Sequence, residues 1–179
     1  GSNLHYFQFT NPTDANDVEF KATSASSSND GHIISIAVNK DITSFEAQTS
    51  DFTLNVADQE LNIASVNVKS NNPRLIEVNT DENIYYGQTI KVSYSGDAIY
   101  SVSSTLMSFT DLAATNNLPK RYNVPGKIEA EDYYENDGLI FEECDEGGSN
   151  SGYANPGDYL DYLVYVKETG SYKFTFRIA

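Results

Sequence analysis

The sequence predicts an all-β protein in two modules, and three observations carry the prediction. Apolar and polar residues alternate in short runs, so that one face of each run is buried and the other wet. Clusters of Ser, Asn, Asp, Gly and Pro separate the runs, supplying the tight dihedrals of hairpin turns. No stretch sustains the 3.6-residue period of an amphipathic helix. Many short strands joined by such turns make a β-sandwich the expected architecture.

The elements follow in order. Gly1-Ser2 directly before a strand-like segment reads as an expression scar, so native sequence is expected beyond both ends. Asn3–Phe9, with Leu4, Tyr6 and Phe7, is either the first strand or the tail of a preceding domain. The turn Ser26–Gly31 leads into Ile34-x-Ile36-x-Val38, and Phe52-x-Leu54-x-Val56 follows. Between Leu61-x-Ile63 and Val66-x-Val68 the apolar phase slips by one, which would turn the buried face outward unless the strand bends. A strand switching sheets near Ala64-Ser65 is therefore expected. After the turn Ser70–Pro73 come Ile90-x-Val92-x-Tyr94 and the turn Ser95–Asp97. Alternation stops over Asn116–Pro125, where two prolines block regular pairing. This places one module at 1–118, a linker at 119–125 and a second module at 126–179. The second module offers strands at Leu160-x-Tyr162-x-Val164-x-Val166 and Tyr172-x-Phe174-x-Phe176-x-Ile178.

Charge narrows the partners. Asp and Glu number 26 against 11 Lys and Arg, and a net charge of −15 repels phosphate backbones and anionic head groups. Nucleic acid and membrane surfaces are poor partners; neutral polysaccharide and divalent cations are compatible ones. No apolar run approaches the roughly 20 residues of a membrane span. Cys144, the single cysteine, cannot close an intramolecular disulfide and leaves the compartment open. His5 and His32 lack metal-type spacing, and no nucleophile or phosphate-loop motif is present.

Glu129 and Glu131, two apart on an expected strand, would share a face. Two readings stand: hard oxygen donors beginning a calcium site, which needs six to eight oxygens, or solvated carboxylates on an exposed face. As a glycosidase acid and base the pair fails on context, since such chemistry needs a deep cleft and one carboxyl raised by an apolar pocket. Tyr153, among Gly147, Gly148, Gly152 and Gly157, is either a sugar-stacking aromatic or a partly buried loop residue. Asp158 and Asp161 are expected to cap a turn or face solvent.

The string Lys127-Ile-Glu-Ala-Glu-Asp-Tyr133, followed by Gly147-Gly-Ser-Asn-Ser-Gly-Tyr153 and Gly157-Asp-Tyr-Leu-Asp-Tyr162, resembles the opening half of a family 6 carbohydrate-binding module, a β-jelly-roll of secreted glycoside hydrolases. The resemblance implies a structural calcium on Glu129 and Glu131, with a further ligand from a carbonyl near Gly147–Asn150 and the last from an aspartate of the missing half. It also implies sugar contact by Tyr153 as one wall of a loop-end cleft and by Glu142 as a hydrogen-bonding residue. The opposing tryptophan is absent, for the chain has no Trp. Leu75-Ile-Glu-Val78, Ile84–Tyr94, Leu106-Met-Ser-Phe109 and Ala114-Thr-Asn-Asn117 resemble an immunoglobulin-like spacer from the same enzymes. The implied fold is an immunoglobulin-like β-sandwich followed by part of a jelly roll.

A jelly roll needs about eight strands, and only about four runs follow Pro125. The second module is thus expected to be completed by its missing half as a separate chain, or by a swapped copy. The functional expectation is a non-catalytic region of a secreted glycoside hydrolase that tethers the enzyme to β-glucan or xylan. The alternative is a cell-surface adhesion or structural protein built from the same modules; an unrecognised glycosidase domain ranks behind both.

Overall fold

The computed structural model describes residues 18–145 and 147–177, so the segment Asn3–Phe9 lies outside the described residues. The chain divides into two compact units, residues 1–118 and 119–179.

The first unit carries strands β1 (Ala22–Ser27), β2 (Ile33–Val38), β3 (Ser44–Phe45), β4 (Phe52–Val56), β5 (Gln59–Leu61), β6 (Ser65–Val68), β7 (Leu75–Asn79), β8 (Ile90–Tyr94), β9 (Ile99–Tyr100) and β10 (Phe109–Thr115). Eight of them form one sheet in the order β5-β4-β8-β10-β1-β2-β7-β6, and β3 pairs with β9 in a separate ribbon. Pairing in the sheet is antiparallel except between β1 and β10, where Ala25 lies beside Ala114. The two ends of this sheet, β5 and β6, are joined by residues 62–64 alone. A flat sheet would hold those ends about 34 Å apart, seven spacings of about 4.8 Å. The chain from Leu61 to Ser65 reaches at most about 14 Å. The sheet therefore curls onto itself as a sandwich, and the turnover falls where the apolar phase slips.

Alternation fixes what the curl encloses. Ile34, Ile36 and Val38 on β2, Phe52, Leu54 and Val56 on β4, Ile76 and Val78 on β7, and Ile90, Val92 and Tyr94 on β8 are all buried in one apolar cluster. Cross-strand neighbours such as Leu54 with Val92 and Ile36 with Ile76 stack within it, the unit by which sheets are stabilised.

The end of this unit is tied by Asn116 and Asn117. The Asn116 side chain donates to the carbonyls of Tyr85 and Gln88, and Asn117 donates to the hydroxyl and carbonyl of Ser27. Gly31 stands at this end with φ +80°, and a Cβ there would come within 2.8 Å of both the Ile84 carbonyl oxygen and Leu118 Cδ2. Gly87 has nearly the same φ, +79°, with open space around it. Gly31→Ala is expected to destabilise the unit by roughly 2–4 kcal/mol, backbone strain plus overpacking, and Gly87→Ala by only about 1 kcal/mol. Urea midpoints of the two variants check this, and equal shifts would remove the contact from the account.

The second unit carries β11 (Tyr122–Val124), β12 (Glu135–Asp137), β13 (Ile140–Glu143), β14 (Ser149–Gly152), β15 (Tyr159–Asp161) and β16 (Val164–Val166). They form three ribbons: β11 with β16, parallel, and β12 with β15 and β13 with β14, antiparallel. Three expectations change here. Residues 122–124, expected in a linker, form a strand that pairs with β16. The single strand expected over Leu160–Val166 is two, because the chain changes partners at Tyr162-Leu163: Asp161 lies beside Glu135 and Val164 beside Tyr122. Residues 171–177 have no strand assignment, and no described strand pairs with them, so the alternation of Tyr172, Phe174 and Phe176 is left without a ladder. Among the described residues no helix is long and apolar enough to cross a membrane.

Candidate functional site

The β13–β14 hairpin builds the site. Its ladder runs Ile140–Gly152, Phe141–Ser151, Glu142–Asn150 and Glu143–Ser149, and Tyr153 follows directly. Gly147 and Gly148 close the hairpin at φ +85° and +82°, a conformation that favours glycine. Tyr153 itself sits at φ +59°, where a side chain is held at a cost of order 1–3 kcal/mol. Strain of that kind persists where the surroundings impose it. In the turn that follows, Asp158 accepts the Asn155 N–H at 2.7 Å, and the Asn155 amide donates to the Tyr153 carbonyl at 3.3 Å. The Asp158 carboxylate also fills the space beside Gly138, so close that a Cβ there would lie 2.2 Å from it. Asp158 caps a turn, as its position predicts.

The two residues expected to contact sugar come together. The Tyr153 hydroxyl donates to Glu142 Oε1 at 3.4 Å, and the residue is 65% exposed. That contact is longer than the 2.5–3.0 Å of a good O–H···O bond. Both groups therefore keep hydrogen-bonding capacity for a ligand hydroxyl, beside an aromatic face open to a C–H surface.

The glutamate pair is arranged differently from the expected strand. Asp132 donates its N–H to the Glu129 carbonyl at 3.1 Å, closing a turn over 129–132, so Glu129 and Glu131 do not share a strand face. Glu129 forms an ion pair with Lys127. Glu131 reaches the β13–β14 turn, its Oε1 3.1 Å from where a Cβ on Gly148 would stand. Among the described residues no three His, Cys, Asp or Glu side chains gather as a metal cluster. Glu131 thus stands beside the hairpin turn, and Glu129 is ion-paired with Lys127 at the exposed surface.

A second group of side chains was not legible in the sequence. Lys120, Tyr122, Asp132, Tyr133, Tyr134 and Leu163 line a cavity of about 140 Å³. The Tyr122 hydroxyl, followed by the Glu129 N–H and the Lys120 ammonium, holds the Asp132 carboxyl below its ordinary value. The adjacent aromatics Tyr133-Tyr134 were the available signal; Lys120 and Tyr122 were hidden between two prolines.

No protein-family model matches the chain, and no curated protein matches it. Among solved structures the chain is similar to the crystal structure of the S-layer protein rSbsC(31-844), at 15% identity and TM-score 0.49, covering 80% of this chain and 22% of that one. It is similar to the N-terminal part of the bacterial S-layer protein SbsC, again at 15% identity and TM-score 0.49, with 83% and 44% covered. A structure of SbsC domains 1–6 gives 15% identity and TM-score 0.48, with 86% and 27% covered. The chain thus spans less than half the length of each.

Proposed function

We propose that this chain is a non-catalytic secreted or cell-surface element, in which a structural sandwich carries a unit that contacts neutral polysaccharide. The observation that supports it is the pairing of an exposed, backbone-strained Tyr153 with Glu142 on one hairpin. An aromatic face takes the C–H face of a pyranose, and the carboxylate and phenol take its hydroxyls. The acidic chain, net −15, suits a neutral polymer rather than a polyanion. A structural role at the cell surface is the second reading, in which the larger unit, whose alternating side chains pack one apolar cluster, serves as a scaffold. Tethering of a glycoside hydrolase is the narrower version of the same proposal. Calcium belongs to it as well: bound by Glu131 and the turn carbonyls, it would fix the β13–β14 hairpin in position.

The test is retention of the full chain on insoluble cellulose and xylan, with reducing-sugar release measured alongside. Binding without release is expected. Tyr153→Ala should weaken binding by about ten-fold, and Glu142→Gln by about three-fold, as loss of stacking and of one hydrogen bond implies. A chain that stays in the supernatant with both polymers overturns sugar contact and leaves the structural role alone.

A further inference from the structure

We propose that Asp158 is a positioning residue for the Tyr153 hairpin: through Asn155 it imposes the left-handed backbone of Tyr153 and so presets the ring before any ligand arrives. The inference rests on the sugar-contact reading for its consequence alone, because the conformation can be read without a ligand. Asn155-Pro156-Gly157-Asp158 is a turn with Pro at its second place and Gly, at φ +108°, at its third, the residue pattern of a type II turn. It is closed in both directions. The Asp158 N–H donates to the Asn155 carbonyl at 3.0 Å, and the Asn155 N–H donates back to Asp158 Oδ2 at 2.7 Å. The Asn155 amide is shared between that same oxygen and the Tyr153 carbonyl, 3.3 Å from each. Tyr153 is thus held on both sides: Gly152 before it lies in the β13–β14 ladder opposite Ile140, and its own carbonyl is tied to the turn after it.

A turn fixes its neighbour only if it is fixed itself, and the fold anchors this one. The Asp158 carboxyl lies against Gly138, in the connection between β12 and β13, where a Cβ would stand 2.2 Å from its Cγ and Oδ1. Gly138 is the residue that leaves room for it. That connection is pinned in turn by Asn136, whose amide donates to the Leu139 carbonyl at 2.9 Å and whose Oδ1 accepts the Leu139 N–H at 3.2 Å. The supports run in series from Asn136 to Gly138, Asp158 and Asn155, and they end on the carbonyl of an exposed aromatic at φ +59°. Released from the turn, a tyrosine leaves the left-handed region for extended backbone, where its side chain is sterically unhindered. The ring would then swing out of line with Glu142, and binding would carry the cost of ordering it again.

The experiment reads conformation first and binding second, on the full chain. The strong amide-to-Hα cross-peak within Tyr153 that a positive φ produces is expected in the parent, and in Asp158→Asn, whose side-chain oxygen can still accept the Asn155 N–H. It should fall to that of an extended residue in Asp158→Ala, and in Gly138→Ala, where the added methyl takes the place of the carboxylate. Unchanged amide dispersion across 20–118, 122–124 and 164–166 confirms that the variants fold. In titrations with xylotriose and cellotriose, Asp158→Ala should weaken binding about three-fold, the cost of ordering one freed side chain. The same substitution made on top of Tyr153→Ala should cost nothing more, because the two act through one ring. A parent-strength cross-peak in Asp158→Ala or Gly138→Ala overturns the proposal. So does an Asp158→Asn variant that behaves like the alanine one, since charge rather than acceptor geometry would then be at work, and so do equal losses with and without Tyr153. If the parent binds neither sugar, sugar contact falls, and the Tyr153 cross-peak alone decides the role of Asp158.

Discussion

Tyr94→Ala is expected to lower the stability of the first unit by about 3–5 kcal/mol, a large part of the 5–15 kcal/mol that holds a domain together. Tyr94 is 1% exposed at the end of β8, paired with Phe52 on β4 and Phe109 on β10. Its ring centre lies 4.9 Å from that of Phe52 and 6.0 Å from that of Phe109, so one side chain bridges three strands. The hydroxyl accepts the Ala98 N–H at 3.1 Å, and Gly96 lets the chain pass so near the ring that a Cβ there would lie 2.9 Å from it. Truncation leaves a cavity that strands pinned by their ladders cannot close. Tyr94→Phe keeps the ring and removes only the hydroxyl, for an expected loss of about 1–2 kcal/mol. Urea unfolding followed by circular dichroism measures both, and an alanine variant within 1 kcal/mol of the parent would refute the bridging role.

The same residue sets an alkaline limit. Burial raises the Tyr94 hydroxyl above its ordinary 10.0. A raised folded value means that the neutral phenol's contribution is complete below about pH 10 and is lost as pH climbs through the folded value. Tyr94→Phe should flatten that arm of the stability curve.

The sandwich was legible where pairing and burial agree locally. Ile34-x-Ile36-x-Val38, Phe52-x-Leu54-x-Val56 and Ile90-x-Val92-x-Tyr94 announce their buried faces, and the phase slip before Val66 announces the turnover. The strand order was not legible. The parallel contact of Ala25 with Ala114 joins residues 89 positions apart by sequence number, and nothing in either strand names the other. In the second unit local pattern misled, because period-2 alternation states only that a segment is ready to pair. Tyr172 to Phe176 alternates with no described strand beside it, while Tyr122–Val124 pairs without a pattern long enough to read. Glu129-Ala-Glu131 looks like strand by spacing, yet the Asp132 N–H bond back to Glu129 makes a turn of it. Resemblance alone singled out Tyr153 and Glu142; their proximity depends on hairpin register and on a positive φ that the residue types do not dictate.

Cut at the junction, the two units should behave oppositely. Every buried apolar residue described lies between Phe20 and Leu118, and none lies in 119–177. Residues 1–118 alone are expected to unfold in one cooperative transition close to that of the whole chain. Residues 119–179 alone should show none, because ordering each residue costs about 1.5 kcal/mol and no fully buried apolar side chain is there to offset it. Phe174 and Phe176 are 74% and 81% exposed, and Ile140, Val164, Tyr165 and Val166 are exposed too. A surface of this kind recruits strands. Antiparallel self-pairing about Thr175 would set Lys173 opposite Arg177, like charges across a ladder, and two copies each of net charge −15 repel at longer range. Light scattering of the full chain at micromolar concentration should therefore report a monomer. Hydrogen exchange should be fast throughout 119–177 and slow in β2, β4, β7 and β8. A monomeric 119–179 fragment with a sharp melt and slow-exchanging amides would mean that the second unit holds itself together by contacts other than an apolar core.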